Sequence, residues 1–185
     1  ALAKNGVRFE NCISVAPITL PSHASILSGQ LPFKHGARNN GTHRMPEDVP
    51  TLSTILVDEG YATGAVISAF VLDSRFGLAR GFEVYDDDLS QAAVASIFMF
   101  RETIAEDGVR RALKFLDGVQ EGPWFLWLHL FDPHANYEAP EPFASAHEGP
   151  YDAEIAYSDS QLGTLFDELK RRGQWDNTLV AFTAD

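Results

Sequence analysis

The segment with the most chemical potential in this sequence is a threonine followed two positions later by a proline. Proline suits the first turn of a helix because its missing N–H would have no partner there, so Pro21 favours a short helix over residues 22–28 that Gly29 ends. Thr19 would lie just ahead of that helix, where unpaired N–H groups and the helix dipole favour an anion. A hydroxyl at this place can meet a phosphate or sulfate group, although threonine there also serves as a plain N-cap.

Two predicted strands end next to residues that handle protons and metals. His129 lies in the apolar run 124–131 and His134 in the loop after it, while Asp185 follows a predicted strand at 178–183. Ligands of an open α/β sheet bind at the carboxyl ends of its strands, so we expect these side chains to lie near the threonine hydroxyl. A hydroxyl, histidines and carboxylates at one sheet edge are the groups of a metal-assisted ester hydrolase.

Each of these residues also has an ordinary structural interpretation. His129 falls inside an apolar run and is equally well explained as a core histidine with its hydrogen bonds satisfied. Asp132 would open the turn at Pro133. Asp185, at the end of a buried strand, would need a cation or a hydrogen-bond partner, because a free buried carboxylate is costly.

Helical and extended patterns alternate along most of the chain, which is typical of an α/β fold. The predicted elements are helix 52–59 capped by Thr51, strand 62–67, helix 108–119, strand 124–131, helix 152–172 and strand 178–183. The stretch 69–96 is rich in glycine and charge, which favours a loop over the edge of the sheet. There is neither an internal repeat nor a linker, so a single domain is predicted over residues 1–185.

Composition excludes several classes of protein. With 185 residues, 45% of them hydrophobic and 22% charged, the chain is typical of one globular domain. A net charge of −12 argues against nucleic acid as a partner, but a small anionic substrate needs only a local positive centre such as a metal ion. The single Cys12 excludes an internal disulfide, and no apolar run approaches the ~20 residues that cross a bilayer.

The threonine segment resembles the nucleophile segment of the sulfatase family, within the alkaline phosphatase superfamily. The residues that carry the resemblance are Thr19-Leu20-Pro21-Ser22-His23, Ser28-Gly29, Pro32, His35-Gly36 and Asn39-Asn40. The family pattern is Cys or Ser, any residue, Pro, any residue and Arg, then a Thr-Gly and a Pro-x-x-x-Gly stretch. The resemblance implies that Thr19 is the catalytic nucleophile, and we expect the substrate to be contacted by Ser22, His23, His35 and His129.

Two later segments extend the resemblance over nearly the whole chain. Residues 131–140 are similar to the sulfatase loop in which a histidine contacts the anionic group, and His134 is the matching residue, so a catalytic role is implied. Residues 151–185 resemble the long helix and the strand that ends in a metal-ligating aspartate, and Asp185 matches it. The resemblance implies an alkaline-phosphatase-like, mostly parallel sheet between helices. We expect a partial catalytic domain, incomplete at both ends.

Two positions depart from the sulfatase pattern. Thr19 carries a methyl group on Cβ and cannot become formylglycine, so no formylglycine is expected. The Thr-x-Pro-x-His pattern is similar to the nucleotide pyrophosphatase/phosphodiesterase branch of the superfamily, in which a metal-activated threonine would attack. His23 stands where sulfatases have arginine, and a neutral imidazole does not replace a fixed bidentate charge.

The expected function is metal-dependent hydrolysis of small sulfate or phosphate esters. The resemblance implies a divalent metal, Zn, Mn or Ca, with Asp185 and Thr19 among its ligands, and a periplasmic or other extracytoplasmic location. Two alternatives stay open: a non-catalytic sulfatase-like domain with an eroded site, and a phosphotransferase acting on lipid or glycan head groups. The sequence leaves the oligomeric state open.

Overall fold

The computed structural model describes residues 2–90, 102–119 and 121–185. The helices are α1 (Leu2–Asn5), α2 (Thr19–Ser28), α3 (Pro32–His35), α4 (Leu52–Asp58), α5 (Ala105–Gly118), α6 (Phe143–Ala146) and α7 (Pro150–Arg171). The strands are β1 (Ala62–Val66), β2 (Val84–Asp86) and β3 (Trp124–Leu128), and short 3₁₀ turns lie at Phe70–Leu72, Ser74–Phe76 and Trp175–Asn177. The elements α4, β1, α5, β3 and α7 follow one another in the order that the sequence predicts, whereas β2, which was not predicted, lies between β1 and α5.

The strands form one parallel sheet in the order β2-β1-β3. Ala62 pairs with Trp124 and Val66 with Leu128, so β1 and β3 run in register over five residues. Parallel neighbours need a crossover connection, and α5 supplies the one between β1 and β3. The predicted α/β class with a parallel sheet is confirmed.

Helices cover both faces of this sheet. Because side chains alternate along a strand, Phe125 and Trp127 of β3 pack on one face with the apolar side of α2. Leu126 and Leu128 pack on the other face, in a cluster with residues of α5 and α7. Gly64 allows the close approach on that second face, since a Cβ there would lie 2.6 Å from the Phe115 ring.

The predicted N-cap of α4 and the predicted end of α7 before Gly173 are confirmed, although α7 begins at Pro150 and not at residue 152. Thr51 caps α4 in a capping box, in which its Oγ1 accepts the Thr54 N–H at 3.3 Å and the Thr54 Oγ1 accepts the Thr51 N–H at 2.9 Å. Gly173, at φ 68°, follows the last residues of α7, and its N–H donates to the Lys170 carbonyl at 2.9 Å.

Two predicted strands differ from the structure. β3 ends at Leu128 and is only partly buried, because β1 is its one hydrogen-bonded neighbour among the described residues. The predicted strand 178–183 is wrong: these residues form neither helix nor strand, and Leu179 and Phe182 are 94% and 72% exposed. A strand needs a neighbouring backbone to bond, and none of the described strands pairs with this segment.

The predicted loop 69–96 is wrong in part. It contains β2 and the two 3₁₀ turns, and its residues Leu72, Phe76 and Leu78 belong to the core. Local glycine and charge content did not show that its apolar residues are buried by the rest of the chain. Residues 91–96 of this predicted loop lie outside the described residues. No helix in the described ranges has both the length and the apolar character that crossing a membrane requires.

Arg111 of α5 ties the carboxyl ends of two strands together. Its side chain is 8% exposed, and Nη1 donates to Asp86 Oδ1 at 2.9 Å while Nη2 donates to the Ile67 carbonyl and to Thr103 Oγ1 at 2.9 Å each. A buried guanidinium removed from water needs such partners. Arg111 therefore holds β1, β2 and α5 in a fixed relation at the edge where ligands of parallel sheets bind.

Replacing Arg111 by methionine is expected to lower the free energy of unfolding by about 3 kcal/mol, because the Asp86 carboxylate and buried carbonyls lose their donor. Urea denaturation of the intact protein measures the change. The matched control is Arg110→Met, since the Arg110 side chain is 61% exposed and paired with Asp107 on the same helix. We expect the control to change stability by less than about 1 kcal/mol, and equal losses in the two variants would contradict this role of Arg111.

Candidate active site

Thr19 lies inside the first turn of α2 and not ahead of it. Ile18, in extended conformation, is the N-cap, and the first intrahelical bond runs from the Ser22 N–H to the Ile18 carbonyl at 3.2 Å. The predicted start at residue 22 was therefore three residues late. Pro21 is the third helical residue, where its missing N–H is still without cost. Thr19 remains at the positive end of the helix.

The backbone N–H groups at this helix end are mostly engaged. The Leu20 N–H donates to Asn40 Oδ1 at 2.8 Å, Pro21 has no N–H, and the Ser22 N–H is used within the helix. Over residues 2–90, 102–119 and 121–185, neither the N–H nor the hydroxyl of Thr19 has a hydrogen-bond partner. An anion at this end would therefore meet the Thr19 donors and not a cradle of several backbone N–H groups.

Sequence reasoning missed the side-chain role of Asn40. Asn40 belongs to the motif that carries the family resemblance, but its contact with Leu20 joins residues 20 positions apart. Because Oδ1 accepts the Leu20 N–H, the Nδ2 group of the same amide lies near the start of α2 as a donor. A capping side chain supplied by a distant loop has no local sequence pattern that would reveal it.

His23 connects α2 to two other predicted site residues. Its Nδ1 lies 2.9 Å from the Thr19 carbonyl and 3.7 Å from Asp185 Oδ2, and its ring meets the His129 ring edge-on with centroids 5.0 Å apart. A carbonyl only accepts hydrogen bonds, so Nδ1 carries the proton and Nε2 keeps a lone pair. Four predicted residues, Thr19, His23, His129 and Asp185, are thus brought to one edge of the sheet.

His129 and His23 are both held in the neutral form. Burial lowers the pKa of His129 well below its ordinary value, and the neighbouring His23 lowers it further. Burial also lowers the pKa of His23, although Asp185 and the Thr19 carbonyl oppose that shift. His129 Nδ1 is buried and has no partner in the part of the chain that the structure describes. Two neutral imidazoles with available lone pairs face this edge as acceptors rather than as fixed charges.

His35 and Ser22 are placed beneath the site. His35 is fully buried; its Nε2 lies 2.9 Å from Ser25 Oγ, and its Nδ1 accepts the Ala37 N–H at 3.2 Å. Ser22 is 2% exposed and lies 3.1 Å from the hydroxyl of Ser14. This geometry does not support the predicted contact of either residue with a substrate. Both instead satisfy polar groups around α2.

His134 is presented on an exposed loop after β3. Its Nδ1 donates to the Ala135 carbonyl at 2.7 Å, and its ring lies against Phe131 with centroids 4.2 Å apart. The remaining nitrogen, Nε2, is the one available to a ligand, because a carbonyl fixes the proton on Nδ1. No contact joins His134 to Thr19 in the described structure, so its place at the reacting atoms stays a prediction.

Carboxylates surround the His134 loop. Burial raises the pKa of Glu102, while the nearby His134 lowers it. Burial likewise raises the pKa of Asp132, and the Ala105 N–H, which donates to Asp132 Oδ2 at 2.6 Å, opposes the shift. Asp132 thereby satisfies an N–H at the start of α5 in addition to opening the turn at Pro133. The His134 loop therefore lies among carboxylate side chains.

The described residues do not make up a metal site by themselves. No group of three or more His, Cys, Asp and Glu side chains within the described ranges is arranged to hold a metal ion. Zinc takes about four ligands and calcium about six to eight, whereas His23 has one carboxylate beside it, that of Asp185 at 3.7 Å. The predicted roles of Asp185 and Thr19 as metal ligands stay predictions.

Comparison with known proteins decides the family. The Sulfatase family model matches residues 1–185. The chain belongs to the sulfatase family. The uncharacterized sulfatase YdeN of Escherichia coli (strain K12) is 24% identical to this sulfatase chain over 235 residues, which cover 100% of the chain and 41% of YdeN. The chain thus spans about two fifths of the length of that curated relative.

Solved structures share the fold of this sulfatase chain. The proposed sulfatase yidJ from Bacteroides fragilis superposes with a TM-score of 0.74 at 19% identity, over 94% of the chain and 52% of yidJ. The phosphonate monoester hydrolase from Silicibacter pomeroyi superposes with a TM-score of 0.65 at 20% identity, over 90% of the chain and 52% of that protein. These neighbours confirm the predicted alkaline-phosphatase-like α/β architecture.

We predict that the sulfatase chain loses stability as pH falls below about 6.5, and that His35 contributes to the loss. Burial lowers the pKa of His35, so the unfolded state binds its proton at a higher pH than the folded state does. Between the lowered pKa of folded His35 and the ordinary pKa of about 6.5 in the unfolded chain, the unfolded state holds more protons. Over this range the free energy of unfolding decreases as the pH decreases, by up to about 1.4 kcal/mol per pH unit for each such group.

Urea denaturation of the intact protein between pH 5 and 8 measures this dependence. The variant His35→Asn is expected to be less stable at neutral pH but to lose less on acidification. His43→Asn is the control, because His43 is exposed. A His35→Asn protein whose stability falls with pH as steeply as that of the wild type would overturn the prediction.

Proposed function

We propose that this sulfatase chain carries part of the active site of a hydrolase that cleaves small sulfate or phosphate esters, with Thr19 as the nucleophile. The observation that supports it most directly is the state of Thr19 at the start of α2. Its hydroxyl has no hydrogen-bond partner over residues 2–90, 102–119 and 121–185, and it lies at the positive end of a ten-residue helix. His23 contacts the Thr19 carbonyl, and His129 and Asp185 lie beside His23.

In the proposed reaction, Thr19 Oγ1 forms a bond to phosphorus or sulfur and loses its proton to solvent. The bond from that atom to the leaving oxygen breaks, and the leaving oxygen takes the electron pair together with the Nε2 proton of a His134 imidazolium, whose Nδ1 proton stays hydrogen-bonded to the Ala135 carbonyl. Water then cleaves the threonine ester, which restores Thr19 and releases inorganic sulfate or phosphate from a monoester, or a phosphate monoester from a diester. His23 and His129 would line the sheet edge beside the substrate, as neutral acceptors rather than as donors to its anionic oxygens.

A divalent metal is part of the proposal at the level of the family. Asp185 would be one of its ligands, and the others would have to come from outside the residues described here, since those residues do not complete a site. Removing divalent metal from the intact protein with a chelator is expected to abolish turnover. Adding back Zn²⁺, Mn²⁺ or Ca²⁺ is expected to restore it. Retention of full turnover after chelation would contradict the metal dependence.

Family membership favours a sulfate ester, and the threonine favours a phosphate ester. The relative YdeN is a sulfatase, whereas the phosphonate monoester hydrolase from Silicibacter pomeroyi shares the fold. Threonine excludes the aldehyde chemistry of formylglycine, so attack by an alkoxide is what its side chain can provide. We therefore favour phosphate esters, with sulfate esters as the second candidate.

The proposed nucleophile is tested by assaying the intact protein on aryl sulfate, phosphate monoester and phosphate diester substrates with each metal. Thr19→Ala is expected to lower kcat by about 10³-fold or more, because it removes the attacking oxygen. Thr19→Ser keeps a hydroxyl and is expected to retain measurable turnover. Unchanged turnover in Thr19→Ala would exclude Thr19 as the nucleophile. If the wild type turns over none of these esters, a non-catalytic sulfatase-like domain is the better conclusion.

A further inference from the structure

Glu154 is a buried carboxylate that holds the His134 loop from the neighbouring helix. It lies near the start of α7 and is 3% exposed. Its Oε2 accepts the N–H of His134 at 3.1 Å, and its Oε1 accepts the N–H of Glu138 at 2.6 Å. Each oxygen thus binds one end of a five-residue turn. Two fixed acceptors at the two ends restrict how this turn can move.

The helix dipole does not account for this arrangement. The helix dipole stabilises a carboxylate near a helix start while that carboxylate faces solvent. The exposed Asp152, two residues before Glu154 on α7, is such a case. Glu154 is instead buried, and within the described ranges it takes part in no ion pair. A buried carboxylate without a cation costs free energy unless N–H donors bind it, and the two loop N–H groups do so.

Other hydrogen bonds hold the start of the loop, and the bonds to Glu154 hold the rest of it. Ser158, one turn further along α7, donates to the Asp132 carbonyl at 3.3 Å, and Asp132 Oδ2 accepts the N–H of Ala105 on α5 at 2.6 Å. The backbone before His134 is thereby bound to two helices. Glu154 binds the backbone of His134 itself and the residues after it, which leaves the ring as the part of His134 that is exposed.

We propose that Glu154 is a positioning residue that fixes the backbone of His134 and thereby aims its Nε2 at the leaving oxygen of the ester. This proposal rests on the proposed function, because it takes His134 as the proton donor to that oxygen. Glu154 does not touch the substrate. A shift of about 1 Å in a group that must meet a reacting atom can lower the rate about 100-fold. Glu154 contacts the proposed proton donor, so its replacement is expected to have a measurable effect on the rate.

The variants for the test are Glu154→Gln, Glu154→Asp and a matched control, Asp159→Asn. Glutamine keeps the shape of the side chain but replaces one acceptor oxygen by a donor, so one loop N–H loses its partner. Asp159 is exposed on the same helix, and its replacement removes one negative charge without touching the loop. Aspartate is the second variant because it keeps both oxygens on a side chain that is shorter by one carbon.

The first measurement is amide hydrogen exchange, which needs no turnover. In the intact protein, Glu154→Gln is expected to raise the exchange rates of the His134 and Glu138 amides by about tenfold or more, whereas Asp159→Asn leaves them unchanged. Aspartate is expected to give an intermediate increase. Exchange at both amides as slow in Glu154→Gln as in the wild type would show that Glu154 does not hold the loop, and would overturn the proposal.

The second measurement compares esters with a good and a poor leaving group. A proton donor matters most when the leaving oxygen is basic, so Glu154→Gln is expected to lower kcat by about 10- to 100-fold on an alkyl ester and less than about threefold on the 4-nitrophenyl ester, with KM unchanged on both. The double variant Glu154→Gln/His134→Asn is expected to be no slower than His134→Asn alone. Equal losses on both esters, or additive losses in the double variant, would overturn the proposal.

These outcomes separate the role of Glu154 from the proposed function. If Thr19→Ala retains turnover, the proposed function fails whatever Glu154 does. If Thr19→Ala is inactive but Glu154→Gln slows both esters equally, only the positioning role fails. If Glu154→Gln does not fold, Glu154→Asp is compared with the wild type on the same two esters, and the same dependence on the leaving group is required of it.

Discussion

The parallel pairing of β1 with β3 is the interaction on which the site depends. Five residues pair in register, and the ladder continues past Val66 through the bond from the His129 N–H to the Val66 carbonyl at 2.9 Å. Because both strands end at the same edge, whatever follows either of them must lie there. His129 is placed by that last bond, and the His134 loop leaves the sheet from the same point.

Helix α2 brings its reactive end to this edge by packing, and buried polar contacts keep it in place. Leu20, Ala24 and Leu27 bury one side of the helix in the core that Trp127 also joins. Beneath it, His35 bonds Ser25, whose hydroxyl donates to the Pro21 carbonyl at 2.9 Å. Polar atoms buried under a helix have few alternative partners, so these bonds specify one position of the helix.

The sequence was a good guide where a structural rule is local. The capping of α4 by Thr51 and the end of α7 before Gly173 depend on neighbouring residues and were predicted correctly. The strand at 178–183 was predicted from its apolar pattern, but forming a strand also requires a partner strand, which a local pattern does not contain. The same limit explains why β2 was missed: Val84–Asp86 is a strand because β1 lies beside it.

Within the candidate site, the sequence identified residue types better than it identified their roles. His23 and His35 are both histidines of one motif, yet His23 faces Asp185 while His35 has both ring nitrogens bonded under the helix. Nothing in their spacing distinguishes them, because burial is decided by elements far away in the chain. The contacts of Asn40 and Glu154 were missed for the same reason, since each side chain binds a backbone N–H about 20 residues distant.

Thr19 occupies a helical position at which its hydroxyl has no hydrogen-bond partner among the residues that the structure describes. Hydroxyl side chains inside helices usually bond a carbonyl three or four residues earlier, and Ser25 and Ser28 of α2 do so with Pro21 and Ala24. Thr19 is the first helical residue, so the residues three and four places before it are not helical and present no such carbonyl. Its β-branched side chain also has restricted rotation about χ1. A nucleophile benefits from both an oxygen without a hydrogen-bond partner and few side-chain orientations, and these two features of Thr19 support the proposal that it is the nucleophile.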